Sequence, residues 1–127
     1  VAALKAFRDA GVPTVVWLDP ILPFLNDTEE NILGLLESCM DAGVKGVLCF
    51  NMGLTLREGN REYYYAALDR HFPGLKGRYI RTYGTAYELL SPNAGRLETV
   101  FRTYLSFKVR KLPKKVQPTL KQFRQYL

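Results

Sequence analysis

Among the 127 residues there is one histidine, one tryptophan and two cysteines. A single histidine, with Cys39 and Cys49 in no C-x-x-C pair, leaves no zinc-type ligand set. Two cysteines also exclude a disulfide scaffold, and both are expected as reduced core residues of a cytosolic protein. No G-x-S-x-G occurs, so nucleophilic hydrolase chemistry has no support, and no G-x-x-x-x-G-K-[ST] occurs, so there is no P-loop. No apolar run approaches the roughly 18–20 residues of a membrane helix. The length is too small for a complete (β/α)8 barrel, which needs roughly 200–250 residues. A secretory signal is missing, and the chain opens on a helix pattern, VAALKAFRDAG, without an initiator Met. It is therefore expected to continue something that precedes it.

What is present is a core-forming composition, 47% hydrophobic and 13% aromatic, which excludes disorder. The net charge of +6 is unevenly placed. Seven of the 18 basic residues lie at or after Lys108 and none of the 12 acids does, so residues 1–107 carry a net −1. The body is neutral and the tail basic. Residues 108–127 are read as a solvated extension, with nucleic-acid binding through this tail and the tyrosines as the alternative.

Hydropathy alternates in units of about 30 residues. Residues 1–10 form a helical pattern stopped by Gly11, and residues 13–18 an apolar, β-branched strand expected to be buried on both faces. Asp27, with Glu30 three residues on, predicts a capped helix in which Ile32, Leu33, Leu36, Cys39 and Met40 share a face as far as Gly43. Residues 44–50 repeat the strand. Helix–strand alternation of this kind predicts parallel strands joined by right-handed crossovers. Beyond Gly53, residues 60–72 predict a helix, residues 78–83 an extended segment, and residues 91–107 a further helix.

In parallel α/β folds ligands collect at the carboxyl ends of strands, here Asp19, Pro20, Asn51, Met52 and Gly53. Asp19 is a candidate binding residue, whereas Asp27 is read as the helix cap. The following run carries Arg57, Glu58, Asn60, Arg61 and Glu62 together with two glycines, Gly53 and Gly59. That composition suits a polar or anionic ligand as well as a solvated loop. Tyr63, Tyr64, Tyr65, Tyr79, Tyr83 and Tyr87 are dense enough for stacking but are read as amphipathic packing.

Three stretches, GVPTVVWLDPILPFLNDTEENI, GVKGVLCFNMGLTLREGNREYYYAALDRHFPGLKGRYIRTYG and YELLSPNAGRL, together resemble the C-terminal half of radical SAM proteins. The likeness is to the branch that resembles spore photoproduct lyase and covers residues 1–107. It implies an α/β fold, namely a partial parallel (β/α) barrel forming the C-terminal half of a (βα)6-type core, with the two strands as its fifth and sixth. It implies S-adenosylmethionine and a 4Fe-4S cluster as cofactors, and hydrogen abstraction by a 5′-deoxyadenosyl radical. The cluster-binding C-x-x-x-C-x-x-C loop is not in this sequence, so the chain is expected to be inactive alone. Its partner would be the N-terminal half of the barrel or a second chain. The resemblance places Asp19, Pro20, Ile21, Leu22 and Pro23, with Asn51 and Met52, near S-adenosylmethionine, and Arg57 and Glu58 on the substrate side. It also implies a cytoplasmic location.

Overall fold

The structure, a computed structural model, describes residues 1–111, with side chains as far as residue 106. The elements run α1 (Ala2–Asp9), β1 (Val15–Trp17), α2 (Glu29–Asp41), β2 (Gly46–Leu48), β3 (Gly53–Thr55), α3 (Asn60–His71), α4 (Leu75–Tyr83), β4 (Glu88–Leu90) and α5 (Ala94–Lys111). The boundary expected between residues 107 and 108 falls inside α5, and beyond Lys111 the basic tail lies outside the described residues.

The first half follows its sequence pattern. Glycine ends the turns after α1 and α2 because Gly11 and Gly43 both sit at φ +74, a left-handed geometry that costs other residues a Cβ clash. β1 and β2 are parallel, with Val15 opposite Gly46, Val16 opposite Val47 and Trp17 opposite Leu48. α2 crosses between them and buries Ile32, Leu36 and Cys39, three positions on one helical stripe.

The expectation of a partial parallel barrel is overturned. The described residues form two separate two-stranded sheets, and the second, β3 with β4, is antiparallel. A barrel needs successive parallel strands that keep pairing in one ring. Here the parallel register stops after β2, and the chain reverses through residues 49–52 to begin a different sheet. β1 also departs from a barrel strand by leaving Val15 and Trp17 exposed. Residues 78–83, expected to be extended, belong to α4.

Two apolar clusters result. The first joins Leu18, Ile21 and Val47 to Ile32 and Leu36 of α2 and to Leu97 and Phe101 of α5. Leu97 and Phe101 stand four apart on α5, one turn of the face that meets α2. The second gathers Leu56, Leu68, Tyr79 and Leu89 from β3, α3, α4 and β4. Phe24, Tyr64, Tyr65 and Tyr83 pack around it, and Tyr79 meets the rings of Tyr64 and Phe24 edge-on at 5.6 and 5.4 Å. The tyrosines at 64, 65, 79 and 83 therefore serve packing, as expected, whereas Tyr63 is exposed.

The candidate site at the strand ends

β1 and β2 deliver their carboxyl ends side by side, and the antiparallel ribbon β3–β4 stands against them. The pairing of Gly53 with Leu90 and Thr55 with Glu88 fixes the far wall. Between the two sheets lies a cleft of about 200 Å³ lined by Trp17, Asp19, Phe50, Asn51, Gly53, Leu54, Thr55, Glu88 and Leu90. Its two carboxylates, Asp19 and Glu88, face no cationic side chain in the lining. The rings of Trp17 and Phe50 meet edge-on at 5.3 Å along one side. Carboxylates beside aromatic faces suit a ligand that carries both a cationic centre and a flat ring.

Backbone hydrogen bonds hold the loops that form this cleft. Ile21 N–H donates to the Gly53 carbonyl at 3.0 Å, and Ser91 N–H donates to the Met52 carbonyl at 2.7 Å. Gly53 is required where it stands, since a Cβ would come within 2.8 Å of the Leu90 Cα. After the cis Asp19–Pro20 bond, Leu22 N–H donates to Asn26 Oδ1 at 2.6 Å and Tyr79 hydroxyl donates to the Pro23 carbonyl.

Of the residues that the sequence singles out, Asp19 and Asn51 line the cleft. Pro20 is exposed beside it. Ile21, Pro23 and Met52 are buried, and Leu22 is half-buried, so these four shape the loops from beneath. Arg57 and Glu58 are exposed and do not line the cleft; Arg57 Nε donates to the Tyr87 hydroxyl at 3.1 Å. Arg61 is structural, with one terminal nitrogen donating to the carbonyls of Leu56, Thr85 and Ala86 and so tying α3 to the approach to β4. Trp17 could not be read from alternation, because Val15 to Leu18 run without a polar residue, whereas Phe50 stands at the strand end after β2. Glu88 could not be read either, because only the antiparallel pairing brings it near Asp19.

Asp27 is not the cap of α2. Thr28 caps it, its hydroxyl accepting from Asn31 N–H at 3.2 Å. Asp27 is buried instead, and the Ser91 hydroxyl donates to its Oδ2 at 2.5 Å. The same hydroxyl accepts from Asn93 N–H at 3.0 Å, which joins the start of α5 to the entry into α2. A serine just ahead of the predicted helix at 91 is the signal that could have located this partner.

The two thiols do not fit an iron–sulfur cluster. Cys39 is buried under α5, and Cys49 Sγ lies 3.7 Å from the sulfur of Met52. Burial, reinforced by the negative charges of Asp19 and Glu98, pushes the Cys49 thiol up to about 11, so it is protonated at neutral pH. Burial raises Cys39 as well. Among the described residues no group of three histidines, cysteines or carboxylates is placed to hold a metal ion.

Over 82 residues, 65% of its length, the chain is 38% identical to uncharacterized proteins of Mycobacterium tuberculosis and Mycobacterium bovis. The matched stretch is 24% of each relative, so the chain spans about a quarter of the length of the curated relatives it matches. No family model matches the chain, and no solved structure does. Among the described residues no helix is long and apolar enough to cross a membrane.

Proposed function

We propose that this chain is the C-terminal portion of a radical SAM enzyme of the spore-photoproduct-lyase-like group and contributes strand-end residues to S-adenosylmethionine binding. The observation that carries this reading is the cleft at the carboxyl ends of β1 and β2, where Asp19 and Asn51 stand together. Parallel α/β units bind ligands at that end. S-adenosylmethionine offers what the lining asks for: an ammonium and a sulfonium for Asp19 and Glu88, and an adenine for Trp17 and Phe50. Asn51 supplies both a donor and an acceptor for polar edges.

When bound, S-adenosylmethionine supplies the hydrogen-abstracting chemistry of such enzymes. The residues of this chain orient it: the carboxylates hold its positive charge, and the aromatic side excludes water from its flat ring. The cluster's thiolates belong to polypeptide outside this chain, because Cys39, buried in the first core, and Cys49, against Met52, form no group of ligands. The chain alone is thus inactive, and its place is the cytoplasm, in keeping with two unpaired cysteines.

Titration with S-adenosylmethionine, followed by amide chemical shifts, tests the binding reading. Shifts are expected at Asn51, Gly53, Thr55 and the Trp17 indole, with a Kd of about millimolar, and Asp19→Asn should weaken them several-fold. Shifts confined to other residues, or none at about 10 mM ligand, would sink it. Reconstitution of this chain with iron and sulfide should give no brown colour; a cluster formed here would overturn the assignment of its ligands elsewhere.

A further inference from the structure

A cleft selects its occupant by what it leaves uncompensated as well as by what it attracts. Asp19 and Glu88 reach the strand-end cleft from different sheets. Asp19 follows β1 by two residues, and Glu88 arrives through its pairing with Thr55 of β3. Both are exposed. Among the described residues neither takes part in an ion pair, and the cleft lining holds no lysine, arginine or histidine. Arg57, two residues past Thr55, donates to the Tyr87 hydroxyl instead. Two negative charges therefore share one concave surface, uncompensated among the described residues.

Water solvates both carboxylates while the cleft is open. Any occupant strips part of that water, and a neutral one gives nothing back. A cation restores the loss twice over, through the carboxylates and through the π faces of Trp17 and Phe50, which meet edge-on and stay largely exposed. The penalty on a neutral ligand and the gain for a charged one act in the same direction. The two carboxylates also have different neighbours. Asp19 stands with the amide of Asn51, a pairing that suits an amino-acid group, whereas Glu88 stands with Thr55 on the far wall.

We propose that this cleft reads charge: with S-adenosylmethionine as its occupant, as proposed above, it distinguishes the sulfonium from a neutral thioether, and Glu88 sets the difference. S-adenosylhomocysteine shares the adenosine, the ammonium and the carboxylate of S-adenosylmethionine. It lacks only the methyl group and the positive charge on sulfur. The cleft thus holds the charged molecule and sheds the neutral one.

Titration of the full chain with three ligands, followed by amide chemical shifts, tests this. They are S-adenosylmethionine, S-adenosylhomocysteine and sinefungin, in which a protonated amine takes the place of the methylsulfonium. At low salt S-adenosylmethionine and sinefungin should bind about fivefold more tightly than S-adenosylhomocysteine. Sodium chloride at about 0.5 M should narrow that gap. Glu88→Gln, which keeps the shape of an exposed side chain, should bring all three ligands within about twofold of one another by weakening only the two cations. Its far-UV circular dichroism should match that of the parent. Equal or tighter binding of S-adenosylhomocysteine, with shifts at the cleft, overturns the proposal and leaves the cofactor reading standing. The same holds if sinefungin binds as weakly as S-adenosylhomocysteine, since the methyl group and not the charge is then read. It holds too if Glu88→Gln leaves the gap unchanged or weakens all three ligands alike. Shifts confined to residues outside the cleft, or none with any ligand, overturn both.

Discussion

Asp27 shows how a single residue can hold two distant segments together. Its carboxylate is buried between the entry into α2 and the start of α5, and Ser91 is the hydroxyl that reaches it. Removing that donor leaves a buried acceptor short of a partner, which costs about 1–3 kcal/mol. Ser91→Ala should therefore lower the free energy of unfolding by that much, read as a lower urea midpoint with the slope of the transition unchanged. The ionisable residues of the interior set a second expectation. Burial raises Cys39, Cys49, Tyr64, Tyr79 and Tyr83 above their ordinary values, in Tyr79 with help from its bond to Tyr64. In each case the folded state keeps a proton that the unfolded chain releases, so stability falls as pH rises. For Cys49 the contribution is full below pH 9.0 and is lost as pH rises towards about 11. Denaturation at a series of alkaline pH values should show this decline, and Cys49→Ala should make it shallower by up to one proton.

At the scale of elements, the β3–β4 ribbon depends on one close approach. Ala at position 53 would drive its Cβ into the backbone of Leu89 and Leu90. Gly53→Ala should thus part the strands at a cost of about 1–3 kcal/mol, and amide exchange at Leu90 and Ser91 should speed up while α2 stays protected. All the helices but α4, and the first two strands, were legible in sequence because helical and strand periodicities are local and turn residues mark their ends. The second sheet was not legible: Gly53–Thr55 and Glu88–Leu90 are three residues each and 33 positions apart, too short for periodicity to register. Residues 78–83 misled for a related reason. Their β-branched Ile80 and Thr82 suit an extended segment, yet Tyr79 and Tyr83 stand one helical turn apart on the face that fills the second core. The same limit applies at the site. Asp19 and Asn51 could be placed from strand ends alone, whereas Glu88 needed a long-range pairing.

At the scale of the molecule, the fold is two small cores meeting along a line. One is aliphatic, between α2, α5 and the parallel pair; the other is largely tyrosine, beneath α3, α4 and the ribbon. Few bonds cross between them. The Ile21–Gly53 and Ser91–Met52 amide contacts and the Tyr79 hydroxyl on Pro23 are three, and two of these lie beneath the cleft. Trp17 and Asp19 come from one side of the line and Thr55 and Glu88 from the other. Independent packing of this kind lets parts of a protein open at different free energies. The cleft is therefore a clasp: whatever occupies it fastens two halves that otherwise breathe separately. A saturating ligand should slow amide exchange in β3 and β4 far more than in α2. Equal slowing of both would mean that the two halves open together rather than separately.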